Sequence, residues 1–244
     1  MFEMLTPIQL LAGAAIIAIA YLVRGIAGFG SGLIAIPLLV FIMPISTVVP
    51  LILVLDYLAS IGMGMSSWRE ICWKEVLSLL PFSFIGTIVA FFFLQQIDTD
   101  ILTKALGVFI IVFGLYSLSG HTPQVGAARA WGIWAGLSGG VVHVLFGTGG
   151  PFYVTYFKAR GIDKAAFRAT LAAVFMIDGA GRLIGFGATG HFSLGFLYLL
   201  AVAVPLMAVF LYAGGHIHTR LTQAAFQRAI STLLVGSGAI LLMR

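Results

Sequence analysis

Long apolar runs, separated by short stretches rich in glycine, proline or charge, dominate the pattern along the chain. Five runs contain no charged residue: 5–23, 25–55, 76–97, 130–157 and 183–219. A helix needs about 20 apolar residues to cross the hydrocarbon core of a bilayer, so the longer runs have room for two segments each. The pattern predicts membrane-spanning helices. It excludes a transmembrane barrel, whose strands alternate apolar and polar residues.

Proline, glycine and charge divide these runs into ten predicted helical segments. They are 5–23, 29–43, 46–64, 75–95, 101–119, 129–145, 149–158, 166–186, 194–214 and 223–242. The second segment is short, the seventh is very short, and each follows a glycine-rich stretch. We therefore predict an all-α integral membrane protein with about eight to ten helical segments, in which two helices are broken or re-entrant.

Composition supports a lipid environment. Only 9% of the residues are charged and 61% are hydrophobic, whereas about a quarter of a soluble domain is charged. The formal charge of +5 comes from loop lysines and arginines that orient the chain in the bilayer, and it does not indicate a nucleic-acid partner. The single cysteine, Cys72, has no second cysteine with which to form an internal disulfide.

An internal repeat is visible around two glycine-rich stretches, which we call the first break (25–32) and the second break (146–151). Phe29-Gly30-Ser31-Gly32 matches Phe146-Gly147-Thr148-Gly149 at an offset of 117. Further matches follow at 122 for Asp56 with Asp178, and at 124 for Pro81 with Pro205, Lys104 with Arg228 and Gly114 with Gly238. These matches predict two membrane repeats, 1–122 and 123–244, although chance pairing among 30 glycines is the alternative.

Positive charge predicts the orientation. Either every segment crosses the membrane, or each short segment folds back on the segment before it. In both cases each repeat crosses the membrane an odd number of times, and nine basic residues then lie on the same side of the membrane. They are Arg69, Lys74, Arg129, Lys158, Arg160, Lys164, Arg168, Arg220 and Arg228, against Lys104 and Arg244 on the other side. The positive-inside rule makes the first side cytoplasmic and places both termini outside the inner membrane. An odd crossing number also means that the two repeats are inverted, a common plan of secondary transporters.

The two breaks are candidate anion sites. A glycine-rich break at membrane depth persists only where it is buried in protein or lines a cavity. Ser31 and Thr148 are good N-cap residues and Pro151 suits a first helical turn, so each break is expected to begin a half-helix whose N–H groups bind an anion. The alternative is that these glycines only allow close packing, as Gly132, Gly136 and Gly140 do by their four-residue spacing.

The breaks also carry a family resemblance. GFGSGLIAIPLL at 28–39 resembles the N-terminal signature of the sulfite exporter TauE/SafE family, and GTGGP at 147–151 resembles its C-terminal counterpart. The resemblance extends over nearly the whole chain, with Ser31 standing where many members have glycine. It implies transport of small sulfur-containing or organic anions such as sulfite, sulfonates or thiosulfate, and it implies neither a direction nor one particular substrate.

Ionisable residues inside apolar runs mark function by default, because burying them in lipid is costly. Arg24 and Arg182 suit anion coordination through a planar fork of donors. For Arg24 the alternative is snorkelling to the cytoplasmic interface. Asp178 and Arg182 are one helical turn apart, so the alternative there is an intrahelical ion pair.

Asp56 and Asp178 are candidate proton-coupling residues at matching repeat positions. Asp178 has Arg182 to hold it ionised, whereas position 60 is serine, so Asp56 lacks that local partner and is the predicted proton carrier. His143, just before the second break, is its substitute, and helix packing is the alternative. His216 and His218 have no acidic or cysteine neighbour, so no metal site is predicted.

These features favour a secondary transporter that binds a small anion near the midplane of the membrane. No cofactor is expected. The predicted donors are Gly28, Gly30, Ser31 and Gly32 of the first break and Gly147, Thr148, Gly149 and Gly150 of the second, with Arg24, His143 and Arg182 beside them. An anion channel is the alternative, and an embedded enzyme is disfavoured because no His-Glu-x-x-His or paired acidic motif is present. The partners are the anion and the bilayer, with a homodimer left open.

The orientation gives a first prediction. Single cysteines introduced into a Cys72→Ser background at 64–75, 120–130, 158–168 or 215–222 should resist a membrane-impermeant thiol reagent added to intact cells, since these loops are predicted to be cytoplasmic. A cysteine near either terminus should react. Labelling of the 158–168 loop from outside would contradict the inverted-repeat topology.

Overall fold

The structure is a computed structural model of the chain, and it describes residues 6–94, 96–119, 126, 128–188, 194–216 and 223–243. Most of the described residues are helical, and they contain no strand. Among them, six helices are long and apolar enough to cross a membrane. The predicted multi-pass, all-α membrane protein is confirmed.

Ten α-helices follow one another through the described residues, with a short 3-10 helix at Trp68–Glu70. They are α1 (Pro7–Ala27), α2 (Ser31–Leu39), α3 (Ile45–Ser66), α4 (Trp73–Leu94), α5 (Thr99–Leu118), α6 (Trp131–Phe146), α7 (Gly150–Ala159), α8 (Lys164–Ala188), α9 (Leu194–His216) and α10 (Gln223–Leu242). Each predicted segment corresponds to one helix. The second is shorter than predicted, because the chain leaves the α-helix at Val40.

The helices form two compact units. Unit 1 comprises Met1–Val48, Ile97–Thr122 and Leu194–Arg244, and unit 2 comprises Val49–Gln96 and Pro123–Ser193. Each unit therefore combines segments from both halves of the chain. The repeats 1–122 and 123–244 describe relatedness along the sequence rather than units of packing, and they stay a prediction.

In unit 2, α6 packs along α4 through a stripe of glycines. A Cβ atom at Gly132 would lie 3.0 Å from the carbonyl oxygen of Ser78, and one at Gly136 would lie 2.5 Å from that of Leu79. Gly140 lies equally close to the backbone of Ser83. The expected close packing through these three glycines is confirmed, and it sets the separation of the two helices.

In unit 1, α1 packs along α9 in the same way. A Cβ atom at Gly25 would lie 2.8 Å from the α-carbon of Gly214. The first helix of one half of the chain thus packs on the fourth helix of the other half, as α6 packs on α4 in unit 2. The two halves share this mode of contact.

Each break separates two helices that run in opposite directions. In unit 2, Gly132 and Gly139 of α6 face the rings of Tyr156 and Tyr153 of α7, so the two helices pair antiparallel. In unit 1, Gly13 near the start of α1 contacts Leu39 at the end of α2. Each pair is a helical hairpin, and each break forms the tip of its hairpin.

The glycine stripe gives a second prediction. Gly136→Ala should lower the free energy of unfolding by about 1–3 kcal/mol, as overpacked cores do, because the new methyl group meets the α4 backbone. Gly62→Ala is the matched control in unit 2, since a Cβ atom there meets nothing within 4 Å. It should be neutral or stabilising. Equal apparent Tm values for the two purified variants would contradict the packing described here.

Candidate functional site

Two glycines in left-handed conformations determine the course of the backbone through the first break. α1 ends at Gly28, with φ 86°, whose N–H donates to the carbonyl oxygen of Arg24 at 2.6 Å. α2 begins at Ser31 after Gly30, which has φ 97°. Side chains strongly disfavour both conformations, so glycine is needed at each position.

The second break has a similar course. α6 ends at Gly147, with φ 66°, whose N–H donates to the carbonyl oxygen of His143 at 2.9 Å. Gly149 precedes the first residue of α7, Gly150, and Pro151 lies in the first turn as predicted. Gly147, Thr148 and Gly149 are buried.

The predicted N-caps are wrong. The residues that cap α2 and α7 are Gly30 and Gly149, and neither helix has a side-chain cap bond. Ser31 is instead the first residue of α2, and Thr148 precedes the cap of α7. The sequence match aligned Ser31 with Thr148. The left-handed glycines that end α1 and α6 align the two breaks differently.

The offset of that second alignment is 119 residues, since it relates Gly28 to Gly147 and Gly30 to Gly149. Arg24 and His143 then hold equivalent places, one turn before the glycine that ends their helix. Both breaks begin at a left-handed glycine, but the glycine that caps the second helix is left-handed only in the first break, with φ 97° at Gly30 and −66° at Gly149. The side chain one turn before each break also differs.

Arg24 joins the two ends of the first break. Its side chain is buried at 1% exposure, and its Nη1 donates to Ser31 Oγ at 3.0 Å. This burial rules out snorkelling, because a snorkelling arginine keeps its guanidinium in water.

Arg182 and Asp178 form a fully buried pair in unit 2. Arg182 Nη2 lies 2.8 Å from Asp178 Oδ2, with side chains 1% and 0% exposed. Arg182 Nε also donates to the carbonyl oxygen of Asp178 at 3.3 Å. The alternative of an intrahelical ion pair is therefore confirmed, while a role in anion coordination remains a prediction.

Tyr153 ties this pair to two other helices. Its hydroxyl donates to Asp178 Oδ2 at 3.1 Å and lies 2.7 Å from Ser83 Oγ on α4. Sequence reasoning missed both residues. The available signal was a tyrosine in the first turn of a short apolar helix, which a buried hydroxyl partner explains.

Three buried polar atoms in α8 and in the second break itself lack a hydrogen-bond partner within the described part of the chain. They are Asp178 Oδ1, Arg182 Nη1 and Thr148 Oγ1. Because the great majority of buried polar atoms are hydrogen-bonded, such atoms are candidates for contact with a water, an ion or a ligand. Two of the three belong to the same ion pair.

His143 packs among aromatic rings beside Tyr153. Its ring centroid lies 6.5 Å from that of Tyr153 and 5.5 Å from that of Phe175, and the side chain is buried. Gly149 lies against His143, since a Cβ atom there would be 2.7 Å from His143 Cβ. The structure thus brings His143, Tyr153, Asp178 and Arg182 together beside the second break.

The remaining predicted residues lie elsewhere. Asp56 is half-buried on α3, where Ser60 Oγ donates to its carbonyl oxygen at 2.7 Å. His216 is exposed at the end of α9, with Nδ1 2.9 Å from the carbonyl oxygen of Tyr212. His218 lies outside the described residues, and among those described no three side chains could together hold a metal ion.

A second charged cluster surrounds Glu75 at the start of α4. Its carboxylate accepts hydrogen bonds from Arg160 Nη2 at 3.0 Å, from Arg129 Nε at 3.2 Å and from the Tyr156 hydroxyl at 2.6 Å. Hydrogen bonding to this carboxylate raises the pKa of the Arg160 guanidinium. Four loops were predicted to share one side of the membrane. Residues from three of them meet in this cluster, at one end of unit 2.

Apolar helices with charged residues buried inside them define a polytopic membrane transport protein. The sequence profile described as Sulfite exporter TauE/SafE matches residues 13–241. The chain belongs to this family. It is accordingly a membrane transporter and not an enzyme, as the sequence predicted.

Curated relatives agree with this assignment. The chain is 28% identical over 195 residues to a probable inner membrane transporter protein TsaS of Comamonas testosteroni, covering 77% of this chain and 80% of the relative. It is 23% identical over 248 residues to a probable sulfite/organosulfonate exporter TauE of Cupriavidus necator, covering 99% and 96%. A probable membrane transporter protein of Haemophilus influenzae is 23% identical over 208 residues, covering 76% and 79%. No solved structure matches the chain significantly.

Proposed function

We propose that this protein is a secondary transporter of small sulfur-containing or organic anions of the sulfite, sulfonate or thiosulfate type. The observation that carries the proposal is a buried arginine at each break. Arg24 links the two ends of the first break, and Arg182 reaches the first turn of α7 through Asp178 and Tyr153. A guanidinium buried among apolar helices is costly unless a charge-bearing partner or a functional need accounts for it.

Backbone donors support an anionic substrate. The N-terminus of a helix presents free N–H groups and the positive end of the helix dipole. Because glycine caps both α2 and α7, no cap side chain occupies the N–H groups of their first turns. We propose that each break offers such donors to an anion, from Gly30, Ser31 and Gly32 in the first break and from Gly147 to Gly150 in the second.

The relatives' names support the substrate class. One is called a probable sulfite/organosulfonate exporter. A sulfite or sulfonate group presents several oxygens to donors arranged around it, and a planar guanidinium can bind two of them. The inner membrane, with both termini outside, is the proposed location.

Proton coupling is part of the proposal. An anion site built from arginines and helix N-termini is positive, so its loaded and empty forms differ in net charge as they reorient. A carboxylate that takes up and releases a proton offsets that difference. Asp56, half-buried on α3, is the proposed carrier, with Asp178 as its repeat counterpart and His143 as the substitute.

The arginine assignment gives a third prediction. Arg24→Gln and Arg182→Gln should each weaken anion binding at least about tenfold, since a hydrogen bond to a charged group contributes about 1.5–3 kcal/mol. Arg182→Lys should also weaken it, because the fork of donors is lost. Binding is measured by ligand-dependent thermal shift of purified protein against sulfite, thiosulfate and sulfonates.

The control for this series is Arg69→Gln, which removes an exposed arginine from the 3-10 helix. It should leave binding unchanged. Unchanged affinity in folded Arg24→Gln and Arg182→Gln proteins would show that neither arginine belongs to the binding site.

Coupling gives a fourth prediction. In proteoliposomes with an inward proton gradient, the native protein should show gradient-driven anion flux. Asp56→Asn should keep anion exchange while losing the response to the gradient, because the amide cannot carry the proton. Asp98→Asn changes an exposed aspartate with no side-chain cap bond and should behave as the native protein does.

Two results bear against the coupling proposal. An equal gradient response in native and Asp56→Asn proteins removes Asp56 from the mechanism. Absence of any response in the native protein rules out proton coupling and favours a channel or another coupling ion.

A further inference from the structure

We propose that the Asp178–Arg182 pair selects anions that carry a hydrogen-bond donor close to their charged group. The inference rests on the proposed anion transport and narrows its substrate class. Hydrogen oxyanions such as hydrogensulfite, and sulfonates bearing a nearby hydroxyl or amino group, belong to the favoured class. Dianions and sulfonates without a donor do not.

The charged groups of the two side chains meet through one contact, and each partner keeps one polar atom in reserve. Arg182 Nη2 binds Asp178 Oδ2 at 2.8 Å, whereas Arg182 Nη1 and Asp178 Oδ1 have no hydrogen-bond partner among the residues described. Each reserve atom is bonded to the same carbon as a contacting atom. A small molecule bound at the pair would take a donor from arginine and offer a donor to aspartate.

The pair is fixed in this arrangement. Arg182 Nε is bound to the carbonyl oxygen of Asp178 at 3.3 Å, and Tyr153 donates to the same carboxylate oxygen as arginine does. Ser83 in turn binds the Tyr153 hydroxyl at 2.7 Å. These contacts occupy Oδ2 and leave Oδ1 as the acceptor that a ligand would meet.

The surroundings raise the cost of a mismatched ligand. Both side chains are almost fully buried, and Phe175 packs beside Tyr153 with ring centroids 6.0 Å apart. An anion without a donor would place its oxygens against the lone pairs of Asp178 Oδ1, in a region where charge repulsion is poorly screened. A site built to hydrogen-bond a group rejects analogues lacking it, because its own polar atoms then stay unpaired.

Two sulfonates of equal charge test this selection. Ethanesulfonate and 2-hydroxyethanesulfonate share a headgroup and differ in one hydroxyl group. In proteoliposomes of the native protein, each competes against uptake of radiolabelled sulfite. The hydroxylated probe should inhibit at a concentration at least about tenfold lower, as one satisfied buried polar group implies.

Asp178→Asn should remove this preference. The amide oxygen would remain with Arg182 and Tyr153, so the amide N–H group would replace Oδ1 and present a donor instead of an acceptor. The inhibitory concentrations of the two probes should then agree within about twofold, or reverse their order. Glu75→Gln makes the same change at the other buried carboxylate of unit 2 and should keep the native ratio.

Tyr153→Phe gives a second variant should Asp178→Asn fail to fold. Without the Tyr153 hydroxyl group, the Asp178 carboxylate can turn Oδ1 toward Arg182, so the preference for the hydroxylated sulfonate should fall. Tyr156→Phe removes the tyrosine one turn along α7, which binds Glu75, and should retain the ratio.

The outcomes separate the two proposals. Equal inhibition by both probes in the native protein, or an unchanged ratio in Asp178→Asn or Tyr153→Phe, overturns the selection while leaving anion transport standing. Absence of sulfite uptake and of thermal shifts by either sulfonate overturns the transport proposal itself.

Discussion

The structure depends on one constraint, which is that a chain leaving a helix among apolar helices must bury its freed backbone groups within protein. Both hairpin tips meet it with glycine. Gly28 and Gly147 end their helices in left-handed conformations, and both are buried, as are most residues of the second break. The close approach of α4 to α6, and of α9 to α1, provides that burial through further glycines. Once the tips are enclosed, the side chains next to them are enclosed as well, which places Arg24 and His143 at the start of each break.

In both units a left-handed glycine ends the first helix of the hairpin, but the side chains around it differ. Arg24 stands one turn before the left-handed glycine in unit 1, and His143 has that place in unit 2. The arginine of unit 2 is supplied by α8, where it pairs with Asp178. On α3, Ser60 follows Asp56 at the same spacing and binds its backbone. Duplication would account for the shared hairpins, and divergence of individual side chains would account for the different residues beside them.

Features that depend on residues close together in the sequence could be predicted, whereas contacts between residues far apart in the sequence could not. Apolar length predicted each α-helix, and spacing within one helix predicted the glycine stripe of α6 and offered the Asp178–Arg182 ion pair as an alternative. The hydroxyl contacts of Tyr153 could not be predicted, since Ser83 lies 70 residues away. The same holds for Arg160 and Glu75, 85 residues apart. The N-caps of α2 and α7 were predicted at the wrong residues, because an alignment of residue types does not reveal which glycine adopts a positive φ and ends the preceding helix.

The most direct test of the account is the position of a bound anion. Hydrogenselenite is the selenium counterpart of hydrogensulfite, and its selenium can be located by anomalous scattering in crystals of the protein. The account predicts a selenium peak within hydrogen-bonding reach of the guanidinium of Arg24 or Arg182, and loss of that peak when the corresponding arginine is replaced by glutamine. A peak remote from both arginines, or one that persists after their replacement, would contradict it.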